Sequence, residues 1–494
     1  MTKRISGIRL TPTGVVLVAT LCGLGVWLIL AQLLIPGLIR DGWSTQGIGI
    51  LNRFFASRSS KKSLEYYLNL WIDFRNAITI GFLSYYLIVH YIKVKVESIN
   101  QQILLIVLSG FFLALSILWG PRQDYVAHIN IWQRIQSGDD PWWIQPDSGI
   151  ILNAYGPLFN LLAWPAMISS LAPKIIFVFS YLVYCIYLVG KTKEWKARLL
   201  MTFWCFSPFF WLEIAFYGHF DVMVGLLVVA AIVFASEGHE IKSAINIAMG
   251  FLLKFLPIVF LPFLAIDLHS SKKLRTRFII VSIFSIFIGM AASWRVWGES
   301  TFRPLGFASA RGSALISFWR FMRGKFSPLG LFYQPVPDLD LMATPVLLII
   351  LIALWLYYLK YRVSVVHACI MAILAVLIFY RVGFLQYQMV LFLILPIFYI
   401  DSTERIKTSW PVLYSSLIYV IWITGFDLFD NAVGGIIGFN RPYGWVEEWA
   451  GLPQFLFGGF FLIALFRMGI DENVMTPDIN SLPDHQNAPM KKVK

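Results

Sequence analysis

This chain is predicted to be an all-α polytopic membrane protein, on three observations. Of its 494 residues, 58% are hydrophobic and only 14% are charged, with a mean hydropathy of +0.70. A water-soluble domain must cover itself with more polar side chains than that. Apolar runs approaching the ~20 residues of a spanning helix recur along the whole sequence, and Lys and Arg cluster between them as they do in cytoplasmic loops. Counting these runs gives about 12 to 14 hydrophobic helices with large extracytoplasmic loops.

In order, the runs are 14–35, 78–92, 103–119, 175–190, 199–216, 222–235, 278–297, 343–359, 363–380, 389–400, 411–425 and 453–466. The first follows Lys3, Arg4 and Arg9 and lacks a small-x-small cleavage pattern, so it reads as a retained helix and not a signal peptide. Two stretches depart from a plain span. The segment 157–171 holds Pro157 and Pro165 and is short, which suits a piece lying in the interface. The segment 244–266 carries Lys254, Pro257 and Pro262 in one apolar run, which suits two half-helices entering and leaving on the same side.

Basic clusters at the N-terminus, 93–97, 191–198 (KTKEWKAR), 270–277 (SSKKLRTR), 360–362, 405–407 and the tail ending Lys491, Lys492 and Lys494 set the cytoplasmic side. Segments 120–159, 217–221, 298–341 and 381–388, and a loop with Asp427, Asp430, Glu447 and Glu448, then fall outside. The loop 40–75 is basic yet also falls outside, so residues 1–98 read as an accessory N-terminal hairpin. Residues 99–341 read as the catalytic core, with extracytoplasmic loops 120–159 and 298–341. Residues 342–468 form C-terminal transmembrane helices, and 469–494 a disordered cytoplasmic tail rich in Asp, Asn and Pro.

Cytoplasmic loops account for the net charge of +13, so nucleic acid is not an expected partner. Cys22, Cys185, Cys205 and Cys369 lie in apolar segments without paired or metal-ligand spacing and read as small buried hydrophobes. No metal or cofactor is expected. The chain shows no internal repeat of the transporter kind. Its lack of an Asn-x-Ser/Thr sequon leans towards a prokaryotic plasma membrane.

Candidate chemistry concentrates in the outer loops. Asp124, just past the third span, is the candidate general base, because a carboxylate near an apolar boundary can take a proton from a sugar hydroxyl; the alternative is that it solvates a helix end. His128, one helical turn on, reads as a hydrogen-bonding residue on the acceptor side. Asp139 and Asp140, between Gly138 and Pro141, have the composition of a turn. Glu213 and Asp221 bracket YGHFD, where either can orient an acceptor or cap a helix. Lys254, an ammonium inside an apolar run, needs a partner: a lipid phosphate, or a buried carboxylate as the structural alternative. Arg303, Arg311, Arg320, Arg323 and Lys325 stand among aromatic residues, where guanidinium forks suit phosphate and rings suit sugars or lipid headgroups. A basic interfacial helix, SFWRFMRGK, is the plainer reading of that loop. Arg381, Gln386 and Tyr387 open a span facing the same compartment.

Four stretches, in this order, resemble a family of membrane mannosyltransferases: DYVAHINIWQRIQSGDDPWW with its following YGPLF, then SPFFWLEIAFYGHFD, then GFLLKFLPIVFLP, then RVGFLQYQMVLFLILP. The likeness is to the catalytic subunit of glycosylphosphatidylinositol mannosyltransferase I and to prokaryotic polyprenyl-phosphate-mannose-dependent transferases, all of the GT-C superfamily. The resemblance implies a GT-C fold, with Asp124 as catalytic base and with Lys254, Gln386 and Tyr387 at matching motif positions. It also implies transfer of a sugar, mannose first among candidates, from a polyprenyl-phosphate donor to an extracytoplasmic glycan or lipid acceptor. Arg311 and Arg381 join Lys254 as expected phosphate ligands, and His128, Asp221, Gln386 and Tyr387 are expected on the substrate. Where eukaryotic relatives carry an acid-x-acid pattern, this chain has Gln123, Asp124 and Tyr125 with no second acid, which argues against a metal-bridged mechanism. Two other classes of protein share these features: a lipid-linked glycan flippase, and a polymerase or ligase using lipid diphosphate donors.

Overall fold

The structure is a computed structural model that describes residues 112–113, 116, 121, 124–144, 153–192, 204–205, 207–267, 272–310, 314–323, 339–401, 410–437 and 444–475. The N-terminal hairpin, the runs 14–35 and 78–92, most of 103–119, Arg311, Lys325 and residues 476–494 lie outside the described residues.

The described chain begins with α1 (Asp124–Gln136), which buries Tyr125, His128, Ile131 and Trp132 along one face. The proline-containing segment after it forms two short helices, α2 (Pro157–Asn160) and α3 (Ala163–Ile168), rather than a span, and exposes Trp164, Met167 and Ile168. Then comes α4 (Ala172–Lys191). Past Pro208–Phe210 the chain winds into a π-helical turn, Trp211–Phe216, which leads to α5 (Asp221–Ser236) and α6 (Glu240–Leu253).

The apolar run around Lys254 breaks as its composition predicts. α6 stops at Leu253, Lys254 is extended (φ −154°, ψ 132°), and a 3-10 turn at Leu256–Phe260 leads into α7 (Leu261–Asp267). Pro257 lacks an N–H to continue the α-helical ladder, which is a physical reason for the break. Next is α8 (Lys272–Trp297). Helices α6 and α8 run parallel: Arg277 lies 3.5 Å from Glu240 at one end, and Gly289 lies against Leu252 at the other, so tightly that a Cβ there would be 2.4 Å from a Leu252 methyl. The segment between them must therefore return to its starting level, which makes 240–267 a re-entrant hairpin with Lys254 near its tip.

Beyond α8 come a 3-10 turn at Gly298–Phe302, α9 (Arg303–Ala310), β1 (Ala314–Leu315) and α10 (Phe318–Arg323). They are followed by α11 (Leu339–Tyr361), α12 (Val365–Phe379), β2 (Val382–Gly383), a 3-10 turn at Leu385–Tyr387, α13 (Gln388–Asp401), α14 (Trp410–Ile437) and α15 (Gly444–Met475). The two-residue strands pair in parallel, Ala314 with Val382 and Leu315 with Gly383, which fixes residues 314–315 beside 382–383. Gly383 is required there, since a Cβ would meet the Ser317 amide nitrogen at 2.6 Å.

Among the described residues, four helices are long and apolar enough to cross a membrane: Ala172–Lys191, Lys272–Gly306, Leu341–Tyr361 and Ala450–Asp471. Their partners are shorter. α12 is buried on every side from Val365 to Ile378, as an all-apolar helix at the centre of a bundle should be. α8 instead turns Ile280, Ile283, Phe284 and Phe287 outward, as a helix long and apolar enough to cross a membrane can. In α13, Pro396 supplies no N–H to the Phe392 carbonyl; the indole N–H of Trp204 donates to that oxygen at 3.1 Å instead.

Two expectations need correction. Asp427 and Asp430 lie on α14 and Glu447 and Glu448 on α15, not in a loop, because both helices run further than the apolar windows that flagged them; Asp427 is fully buried. The last helix likewise continues to Met475, past the end predicted at 468.

Candidate functional site

The site is built from the ends of α1, the π turn, α5 and α6. The π turn widens the helix by one residue, so the chain leaves it with the amide of Tyr217 on the Leu212 carbonyl and the amide of His219 on the Glu213 carbonyl, both at 2.8 Å. Gly218 takes φ +67°, and a Cβ on it would lie 2.6 Å from the Tyr125 ring, so this turn needs glycine for both conformation and space. Tyr125 in turn donates its hydroxyl to the Ser170 carbonyl (2.6 Å) and accepts from the Lys174 amide (3.1 Å). The Lys174 ammonium, fully buried, donates to the Phe216 carbonyl at 3.1 Å and so caps the π turn. These ties hold α1 against the YGHFD turn.

The result is a line of three charged groups. Glu213 Oε2 lies 2.6 Å from His219 Nδ1, and His219 Nε2 lies 3.2 Å from Asp124 Oδ2. Exposure grows along the line, from 2% for the Glu213 side chain through 7% for His219 to 60% for Asp124. The hydrogen bond from His219 holds the Asp124 carboxyl down at about 2, with further help from the charge of the same histidine. Burial alone would discharge His219, but the carboxylates of Glu213 and Asp124 outweigh it and raise the imidazole to about 10. Burial raises the Glu213 carboxyl above its ordinary value, against the pull of His219, while the imidazole carries the positive charge of the line.

Beside this line lies a second, sealed pair. The Lys254 ammonium donates to Asp221 Oδ1, with side-chain exposures of 9% and 1%. It also sits 4.1 Å from the centre of the Tyr387 ring and 5.7 Å from that of Phe220. The YGPLF segment closes over the tip of the hairpin: the Gly156 amide donates to the Leu253 carbonyl at 3.0 Å, and a Cβ on Gly156 would fall 2.1 Å from the Leu252 oxygen.

Asp124, Asp221, Lys254 and Tyr387 thus come together at one end of the bundle, with Gln386 half-buried on the same 3-10 turn as Tyr387. Arg381 is buried immediately before β2. The partner of Lys254 here is the carboxylate alternative, Asp221, and Asp221 is therefore an ion-pair residue and not an exposed acceptor ligand. His128 is also placed differently from its expected role. It is 1% exposed, ringed by Tyr125, Trp132, Tyr155, Phe159 and Phe220, and hydrogen-bonded to the Tyr155 hydroxyl at 3.2 Å. Burial lowers its pKa to about 3, so it packs as a neutral ring beneath α1.

Asp140 has a structural use that the turn composition half revealed. Its Oδ1 accepts from the Trp142 amide (2.9 Å), while Oδ2 accepts from Ser300 (2.6 Å) and from Arg303 (2.7 Å), which also donates to the Trp142 carbonyl (3.1 Å). The loop after α1 is thereby pinned to the segment that follows α8. Asp139 pairs only loosely with Arg134, at 3.9 Å.

His219 and Lys174 were not singled out from sequence. The six-residue spacing of Glu213 and His219 fits no α-helical face, and only the π turn brings the pair together.

The described helices form an apolar bundle with a cluster of acids and cations at one end, and four of them are long and apolar enough to cross a membrane. Residues 153–394 match the model of glycosyltransferase family 87, a GT-C type family, and the match indicates a membrane glycosyltransferase of that all-helical type. The matched range takes in the π turn, Glu213, His219, Asp221, Lys254 and Tyr387, while Asp124 precedes it. No curated protein matches the chain.

Proposed function

We propose that this glycosyltransferase moves a sugar, mannose first among candidates, from a polyprenyl-phosphate donor to an extracytoplasmic glycan or lipid acceptor, with inversion. The observation that carries the reading is the placement of Asp124. Its ionised carboxylate is exposed at the same end of the bundle as Lys254, Arg381 and the Tyr387 ring. The acceptor hydroxyl oxygen bonds to the anomeric carbon as the bond from that carbon to the phosphate oxygen breaks. The hydroxyl proton passes to Asp124, and the phosphate departs with the bonding electrons as a lipid phosphate. Fixed cations stabilise the charge that develops on it. Lys254 can serve that purpose only by sharing its ammonium between Asp221 and the phosphate, and Arg311 and Arg381 are the further candidate ligands.

The test is direct: detergent-solubilised protein given labelled polyprenyl-phosphate-mannose and a crude glycan or lipid extract is expected to release polyprenyl phosphate. Release that is no faster than in a mock preparation would sink the reading. Placement of the site outside a prokaryotic plasma membrane rests on the distribution of Lys and Arg. A cysteine at Ser309 should then react with an impermeant reagent from outside, and one at Ser271 only after permeabilisation.

A further inference from the structure

We infer that His219, held by Glu213, is the positioning residue for the Asp124 carboxylate: it fixes Oδ2 and leaves Oδ1 to meet the acceptor hydroxyl. This rests on the proposal that Asp124 is the base, and goes beyond it by giving the base a built support. Four observations carry the inference. The imidazole is held at both nitrogens, by Glu213 and by Asp124. The backbone amide of His219 is tied to the Glu213 carbonyl as well, which fixes the stretch of main chain that carries the ring. Tyr217 stacks on the imidazole, with ring centres 5.3 Å apart and planes within 15°. Burial then falls along the line, so the support is rigid where it is buried and its far member is exposed where a substrate can reach it.

A helix-end ion pair kept only for stability would not need this order. Its charged members would tend to be exposed together, as Arg134 and Asp139 are at 35% and 54%, or sealed together, as Lys254 and Asp221 are. The charges facing His219 are Glu213 on the π turn and Asp124 on α1, with Asp221 and Lys254 alongside and the neutral His128 below. Protonated on both nitrogens, His219 is a donor only. It keeps Asp124 ionised and oriented while the proton stays on the aspartate.

Two measurements test the inference. Nitrogen NMR of ¹⁵N-histidine-labelled protein in detergent should show the His219 ring doubly protonated past pH 8, and Glu213→Gln should bring its titration down by a unit or more, as expected when an adjacent opposite charge is removed (about 1 to 3 units). A neutral His219 ring at pH 7 in the unaltered protein would overturn the inference whether or not any donor is turned over. With polyprenyl-phosphate-mannose as the probe, His219→Gln should lower kcat about 10- to 100-fold, the scale of a hydrogen bond to a charged group, with KM for the donor within about twofold. The acid limb of its pH profile should move up towards the ordinary carboxylate value, near 4. His219→Gln/Glu213→Gln removes both buried charges at once and serves if the single variant fails to fold. Wild-type kcat and an unmoved acid limb in either variant would overturn the inference. If the unaltered protein releases no polyprenyl phosphate, the transferase reading falls, and the NMR measurement still decides whether His219 holds Asp124.

Discussion

Asp124 with its histidine and Lys254 with its aspartate are neighbouring sets of charge, and they differ in one respect. The first runs from a buried glutamate to a carboxylate that is 60% exposed, whereas the second is closed, at 9% and 1%. Both sets satisfy the rule that a charge withdrawn from water needs a partner. Only the first has a member open to solvent, whereas Lys254 reaches a phosphate only by sharing its ammonium with Asp221. Exposure at the end of a paired chain, not the presence of charge in an apolar setting, separates a candidate for chemistry from a device of the fold.

The largest effect should come from breaking the closed pair. Lys254→Met leaves the Asp221 carboxylate buried without its cation, which costs about 3 to 5 kcal/mol in comparable cases. Thermal unfolding in detergent should show the loss, and Lys254→Met/Asp221→Leu should restore most of it, because an apolar pair of similar volume is often neutral or better. A stable single variant would show that the pair does not hold the hairpin tip.

Asp124→Asn probes the open set in the opposite way. The exposed side chain should tolerate an amide with little change in unfolding temperature, while transfer falls about 100-fold or more through loss of the base. Near-normal release of polyprenyl phosphate would remove Asp124 from the mechanism.

Next in size is a steric test of the lid over the hairpin. Gly156→Ala forces a Cβ into the Leu252 carbonyl, a backbone atom that cannot step aside. Overpacking of this kind costs about 1 to 3 kcal/mol. Gly190→Ala, where a Cβ would meet nothing within 4 Å, is the control.

The smallest and most diagnostic effect is the pH dependence of stability. The Asp124 pKa is lowered, to about 2, so its contribution is present above the ordinary 3.8 and is lost as pH falls through 2. The His219 pKa is raised, to about 10, so its contribution is complete below 6.5 and is lost as pH rises through 10. These two groups by themselves leave the unfolding temperature level between roughly pH 4 and 6.5 and lower it on both sides, while Glu213, whose pKa burial raises, adds a decline that starts above its ordinary 4.5. In His219→Gln the alkaline decline should shrink, and an identical decline in that variant would place its origin elsewhere.

Much of the fold was legible because its cause is local. A run of apolar residues must become a helix wherever lipid surrounds it, since no other local structure satisfies the backbone. The break at Lys254 announced itself through Pro257, and the short helices at 157–168 through Pro157 and Pro165. Asp124 could be singled out as a charge at an apolar boundary. The partner of Lys254 could be narrowed to two kinds, but sequence alone could not show that Asp221, 33 residues earlier, would fill that place.

What the sequence by itself determined is the class of the protein: its helices, its re-entrant segment and the few charges that an apolar chain carries only with partners. What only the tertiary structure decided is which charges meet. Glu213 and His219 face each other through a π turn that no helical periodicity encodes. His128, a polar residue on α1, turns inward because five aromatic rings close around it. Asp140 pins one loop to another across 163 residues of chain. Pairing of this kind depends on the packing of distant segments, and so it cannot be read from any one of them.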